Sequence, residues 1–176
     1  MVFIYKDFYR KLLPESCSIS GLLHDIGMVV MQQHHTRTYE KALMKVSMND
    51  RPFYSTEKDL FGLSHSDIGG YLLEWWGLPY PIVECSYYHH DPLASSTNRK
   101  LVCAVHLADY YAWTCLGRRD IASLDTRVFD IIGIAQPKCE EELDEAMHSW
   151  DTELFNLTCR YVDSGNGTID KAFASS

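Results

Sequence analysis

Apolar residues in this chain recur at intervals of three and four along nearly its whole length, whereas period-two alternation bounded by turn residues is hard to find. Such spacing turns one face of a helix inward and leaves a β-strand nothing to bury. It predicts an all-α domain. With 176 residues, 46% of them hydrophobic and 12% aromatic, the chain can fill one core and is not a disordered segment. No biased linker divides it. The reading is a single helical domain over residues 1–162, in which 1–15 hold a variable N-terminal helix, followed by a flexible tail at 163–176.

Residues 5–13 form a short amphipathic helix through Tyr5, Phe8, Tyr9, Leu12 and Leu13, closed by Pro14. Ser16 or Ser18 can cap the next segment, "SISGLLHDIGMVVM", read as one mostly buried helix from Ser18 to Met31. "TRTYEKALMKVSM" makes a helix with a polar face, and another starts near Ser55 and falters at Gly62. Ser64 opens a further helix as N-cap, with Asp67 three residues on in a capping-box position. That helix runs to about Trp76 and carries the apolar set Ile68, Leu72, Trp75 and Trp76. Pro81 suits the first turn of "PIVECSYYHH", which ends at Asp91-Pro92. After a polar loop comes "LVCAVHLADYYAWTCLG", then a short helix near "TRVFDIIG", and a long final helix from about 137 to 162.

A net charge of −8 argues against a broad nucleic-acid surface, since phosphate binding rests on clustered Lys and Arg. Six cysteines show no C-x-x-C spacing and read as buried or incidental thiols of a reducing compartment. Lys6, Asp7 and Arg10 interrupt the N-terminal apolar run, so neither a signal peptide nor a membrane span is expected, and the protein is placed in the cytoplasm.

His24 and Asp25 stand inside an otherwise apolar run, where a carboxylate must be hydrogen-bonded, protonated or bound to a cation. In the later helix Leu101, Val105, Ala108, Ala112 and Leu116 make one apolar stripe, and Asp109 lies within it. Ile82, Cys85, Ser86 and His89 likewise share a face, with His90 about 100° further round. His65 sits in the first turn of its helix. Imidazole nitrogens and carboxylate oxygens of this kind suit Fe, Mn or Zn, and equally each residue can be a core group hydrogen-bonded to its neighbours. His34-His35 read as exposed, Trp75-Trp76 as core and rim packing, and His106 as a hydrogen-bonded core residue.

"GLLHDIG", "FGLSHSDIGGYLLEWWGLPYPIVECSYYHHDP", "VHLADYYA" and "VFDIIGIAQPKCEEELDEA" together resemble the HD superfamily, most closely its HDOD branch, the HD-related output domain of bacterial signalling proteins. Phe61-Gly62, His65, Gly69, Trp76, Leu78-Pro79 and His89-His90 match the branch's pattern in order. The resemblance implies an HD-domain, phosphodiesterase-like helical bundle in which His24, Asp25, His65, His89, His90 and Asp109 correspond to the superfamily's metal ligands. A divalent Fe, Mn, Zn or Mg ion is then the expected cofactor, if any. Two departures matter. No histidine precedes His24, and the HD-GYP signature is missing, with Met28 where that branch has Lys and "HHDPLAS" where it has a Gly-Tyr-Pro run.

The resulting expectation is a signal-transduction module, non-catalytic or only weakly active, with a metal- or small-ligand-binding pocket. The alternative is a metal-dependent phosphohydrolase or phosphodiesterase acting on a nucleotide or cyclic dinucleotide. Catalytic residues are left unassigned. Most of the helical half that precedes the HD motif in this branch is missing here, which predicts a homodimer with the N-terminal aromatic residues at or near the interface. A signalling protein or a nucleotide is the further partner expected.

Overall fold

The computed structural model describes residues 17–46, 52–116, 118 and 121–136. These lie in the first of two compact units, Met1–Gln136. The helices expected at 5–13 and 137–162, and the tail at 163–176, fall outside the described residues. All regular structure described is helical: α1 (Cys17–Leu23), α2 (Ile26–Val46), α3 (Phe53–Phe61), α4 (His65–Trp75), α5 (Tyr80–Tyr88), a 3-10 turn (Pro92–Ala94), α6 (Arg99–Cys115) and α7 (Val128–Ile132). The all-α, helical-bundle expectation holds. Among the described residues no helix is long and apolar enough to cross a membrane.

The expected single helix from Ser18 to Met31 is broken at His24 and Asp25, which form a turn between α1 and α2. His24 Nδ1–H donates to the Gly21 carbonyl at 2.8 Å. In a continuous helix that carbonyl would accept from the Asp25 N–H, so the imidazole competes with the helix for its own acceptor. The apolar pattern runs through the break and does not reveal it. α2 is itself kinked at His35, whose φ of −128° and ψ of 33° are non-helical, one residue before the start expected for "TRTYEKALMKVSM". α3 begins at Phe53, two residues ahead of the expected Ser55, and ends at Gly62, whose φ of +76° is a left-handed cap that suits glycine.

The Ser64 capping box forms as read. The Asp67 N–H donates to Ser64 Oγ at 3.4 Å, and the Ser64 N–H to Asp67 Oδ2 at 2.9 Å. α4 buries a different face from the one expected. His65, Ser66, Gly69, Gly70 and Leu73 point inward, while Trp75 and Trp76 are 73% and 54% exposed. The cause is close backbone approach. A Cβ on Gly27 of α2 would lie 1.9 Å from the His65 carbonyl oxygen, and one on Gly69 would lie 2.6 Å from Ser86 Oγ on α5. Helices this near leave room for small residues between them and none for indole rings. On α5, Ile82, Cys85, Ser86 and His89 are buried together as spacing predicts. On α6 the stripe is buried through Leu101, Val105 and Asp109, but Ala112 and Leu116 are exposed.

Glu84 of α5 is fully buried yet well partnered. Its carboxylate accepts from Ser95 Oγ at 2.8 Å, from the N–H groups of Ser96, Thr97 and Asn98 at 3.1, 3.1 and 3.0 Å, and from Asn98 Nδ2 at 2.7 Å. It thereby fastens the loop that leads into α6. Burial pushes this carboxyl up, but the donors outweigh it and hold the group below its ordinary value. Its stabilisation is present above the ordinary carboxylate pKa and is lost as pH falls through the lowered one. Glu84→Ala strands those donors, and urea denaturation should show a loss of about 3 kcal/mol at neutral pH.

Candidate metal centre

Six polar residues read from the sequence come together where the α1–α2 turn, the start of α4, the end of α5 and the middle of α6 meet. His24 Nε2 lies 3.2 Å from Asp25 Oδ2 and 3.4 Å from Asp109 Oδ1. Asp25 Oδ1 is 3.4 Å from the Nε2 of His65 and 3.4 Å from that of His89. His65 Nε2 is in turn 3.3 Å from His89 Nε2 and 2.9 Å from His90 Nε2. Ser86 Oγ–H donates to the His24 carbonyl at 2.9 Å, tying the α1–α2 turn to α5.

The outer nitrogens decide what the inner ones can do. His24 Nδ1–H is given to Gly21, and His89 Nδ1–H to the carbonyls of Cys85 and Ser86 at 3.1 and 2.9 Å. His65 Nδ1–H is given to Glu57 Oε2, which also accepts the His65 backbone N–H at 3.0 Å. In their neutral forms these three rings therefore turn bare Nε2 lone pairs toward one another and toward two carboxylates. Lone pairs so placed repel unless a positive charge lies among them, either protons or a metal ion. Outer anchoring of this kind is also how metal-ligating histidines are oriented. Two overlapping sets have ligand atoms within 4.8 Å of one another: Asp25, His65, His89 and His90, and His24, His89 and Asp109. An imidazole and carboxylate set fits a divalent first-row ion.

Charge follows the geometry. Burial pushes His65 down, but hydrogen bonds to Asp25 and Glu57 outweigh it and hold the ring up at about 10. Burial also opposes charge on His24, and the carboxylates of Asp25 and Asp109 overcome it. Asp25 is held well below the carboxylate range by His24, His65 and His89 against its own burial. Burial, then the neighbouring His89 and His65, push His90 well below an ordinary histidine. Without a metal, protons on His24 and His65 supply the positive charge.

Glu57 is the residue that sequence reasoning missed. It is fully buried on α3, one turn after buried Phe53 and one before Phe61. The stripe argument that picked out Asp109 would have found it. His106 is a core residue as read, its Nδ1–H donating to the His89 carbonyl at 2.6 Å and its Nε2 accepting from the Asp125 N–H at 2.9 Å. His34 and His35 are exposed, apart from the cluster. Tyr54 stacks on His90 with ring centroids 4.8 Å apart and planes 10° from parallel. Beyond this pair lies a groove of about 600 Å³, also lined by Lys58, Asp91, His106, Asp125 and Arg127.

The model of the HDOD domain matches residues 6–92, just under half of the chain. An "Uncharacterized protein" of Treponema pallidum (strain Nichols) is 29% identical over 96 residues, 52% of this chain and 18% of that protein. A crystal structure from Marinobacter aquaeolei VT8, named "Putative signal transduction protein", superposes with a TM-score of 0.69 at 21% identity, covering 82% of this chain and 33% of its own. The chain thus spans a third or less of the proteins it matches. Fold, motif order and family model agree in pointing to the HDOD domain, which residues 6–92 match.

Proposed function

We propose that this chain is a cytoplasmic signalling module of the HDOD type whose His and Asp pocket binds a divalent ion without supporting fast turnover. The observation that carries the reading is the convergence of the Nε2 atoms of His24, His65 and His89 on Asp25 and Asp109, each ring anchored through its Nδ1. His65, His89, His90 and Asp25 would hold one ion, and His24 and Asp109 complete the acidic side of the pocket. Met28 and the missing Gly-Tyr-Pro run argue against a competent cyclic-dinucleotide phosphodiesterase. The test is metal content with a parallel assay on cyclic dinucleotides and a generic phosphodiester. Bound metal with no metal-dependent hydrolysis is the expected result, and hydrolysis that disappears in Asp25→Ala would overturn it.

The groove beside His90 favours a second reading, a metal-dependent phosphohydrolase. A bound ion would supply Lewis acidity toward a phosphoryl oxygen. Tyr54 and Lys58 would position a ligand in the groove, and the neutral imidazole of His106 would hold the Asp125 end of its wall. The same assay decides between the two readings.

Protons and a divalent ion compete for the same nitrogens, so metal affinity should rise as pH climbs toward about 10, the value for His65. The metal-free protein should show the opposite trend. A raised histidine pKa stabilises the fold fully below the unfolded value, about 6.5, and that stabilisation fades as pH rises through the folded one. Urea midpoints in excess chelator should therefore fall between about pH 6.5 and about 10.

A further inference from the structure

Glu57 holds His65 with one oxygen only. Its Oε2 takes both the ring Nδ1–H and the backbone N–H of His65, while its Oε1 is buried and has no hydrogen-bond partner among the described residues. A carboxylate oxygen left bare in a dry core is costly, and with one oxygen untied the group is free to turn. The Tyr39 hydroxyl of α2 is the other half of the same problem. It too is buried, and it too has no partner among the described residues.

Packing puts the two together. Phe53, Glu57 and Phe61 follow one another at intervals of four on α3 and share a face. The Tyr39 ring lies against both phenylalanines, with centroids 5.3 Å from Phe53 and 6.5 Å from Phe61, which sets it across the turn that carries Glu57. Phe53 in turn stacks on the His65 ring at 6.4 Å. Burial, then the Glu57 carboxylate, push the Tyr39 hydroxyl well above its ordinary value, so it keeps its proton. One group is a donor and the other an acceptor that lacks one.

We propose that Tyr39 is a positioning residue of the pocket: its hydroxyl donates to Glu57 Oε1, which fixes the carboxylate and, through it, the ring of His65. This role rests on the reading of the pocket as a metal site, where the partners behind ligand histidines set affinity.

The test is Tyr39→Phe, which keeps the ring and removes only the hydroxyl, with far-UV circular dichroism confirming the fold. In the metal-free protein, nitrogen NMR of isotope-labelled imidazoles should show the His65 Nδ1–H signal moved from its wild-type position. In a Glu57→Gln background, where no carboxylate remains to be held, the same change should move it far less, whereas a packing effect of the lost hydroxyl would persist there. Titration calorimetry with Zn²⁺ should show affinity about tenfold lower in Tyr39→Phe, with little further loss when that change is added to Glu57→Gln. The ring signal is read without an ion, so a wild-type protein that binds no Zn²⁺ would end the metal reading and leave that signal to decide the role of Tyr39. A His65 signal unmoved by Tyr39→Phe would overturn the proposal, and so would a shift of equal size in the Glu57→Gln background.

Discussion

Asp25→Ala should weaken divalent-ion binding by about 100-fold or more, because Asp25 is the carboxylate shared by His24, His65 and His89. Titration calorimetry with Mn²⁺ or Zn²⁺ reads this directly. The same change should flatten the pH dependence of the metal-free protein. Hydrogen bonding to Asp25 is the largest influence holding His65 up, so without it the stabilisation between about pH 6.5 and 10 shrinks. Loss of affinity together with an unchanged pH profile would mean that His65 draws its charge from Glu57 instead.

Gly27→Ala should destabilise the fold by about 3 kcal/mol or more, a cost at the upper end for overpacking. The added Cβ would fall 1.9 Å from the His65 carbonyl oxygen and 2.8 Å from the Gly69 nitrogen, and neither is a flexible side chain that can swing away. The clash pushes α2 from α4 at His65 itself, so metal binding should fail along with stability. Gly70→Ala is the contrast. Its Cβ would meet the Tyr87 ring at 2.5 Å, and that side chain lies at the partly exposed edge of the packing. A milder loss of about 1–2 kcal/mol, with metal binding retained, is expected on urea denaturation.

Helical spacing made much of the site legible. Asp109 and His89 were found because each interrupts or joins an apolar stripe, and both are buried where that argument puts them. The family match ends at residue 92, so the placement of Asp109 rests on register and geometry beyond it. The break at His24 and Asp25 was not legible, since it comes from a side chain taking a backbone acceptor inside an unbroken apolar pattern. The orientation of α4 was misread for a related reason. Hydrophobic patterning assumes that the largest rings go inside, whereas here Gly69 and Gly70 take the inner face because neighbouring helices approach to backbone contact. Glu57 was legible and overlooked.

The central claim, that the anchored histidines and Asp25 form a metal pocket, is tested most directly by anomalous diffraction from crystals of the protein grown with Mn²⁺ or Zn²⁺. The account predicts an anomalous peak among the Nε2 atoms of His65, His89 and His90 and the carboxylate of Asp25, absent in Asp25→Ala. A map with no peak in that pocket, or with signal confined to the exposed His34 and His35, would contradict it.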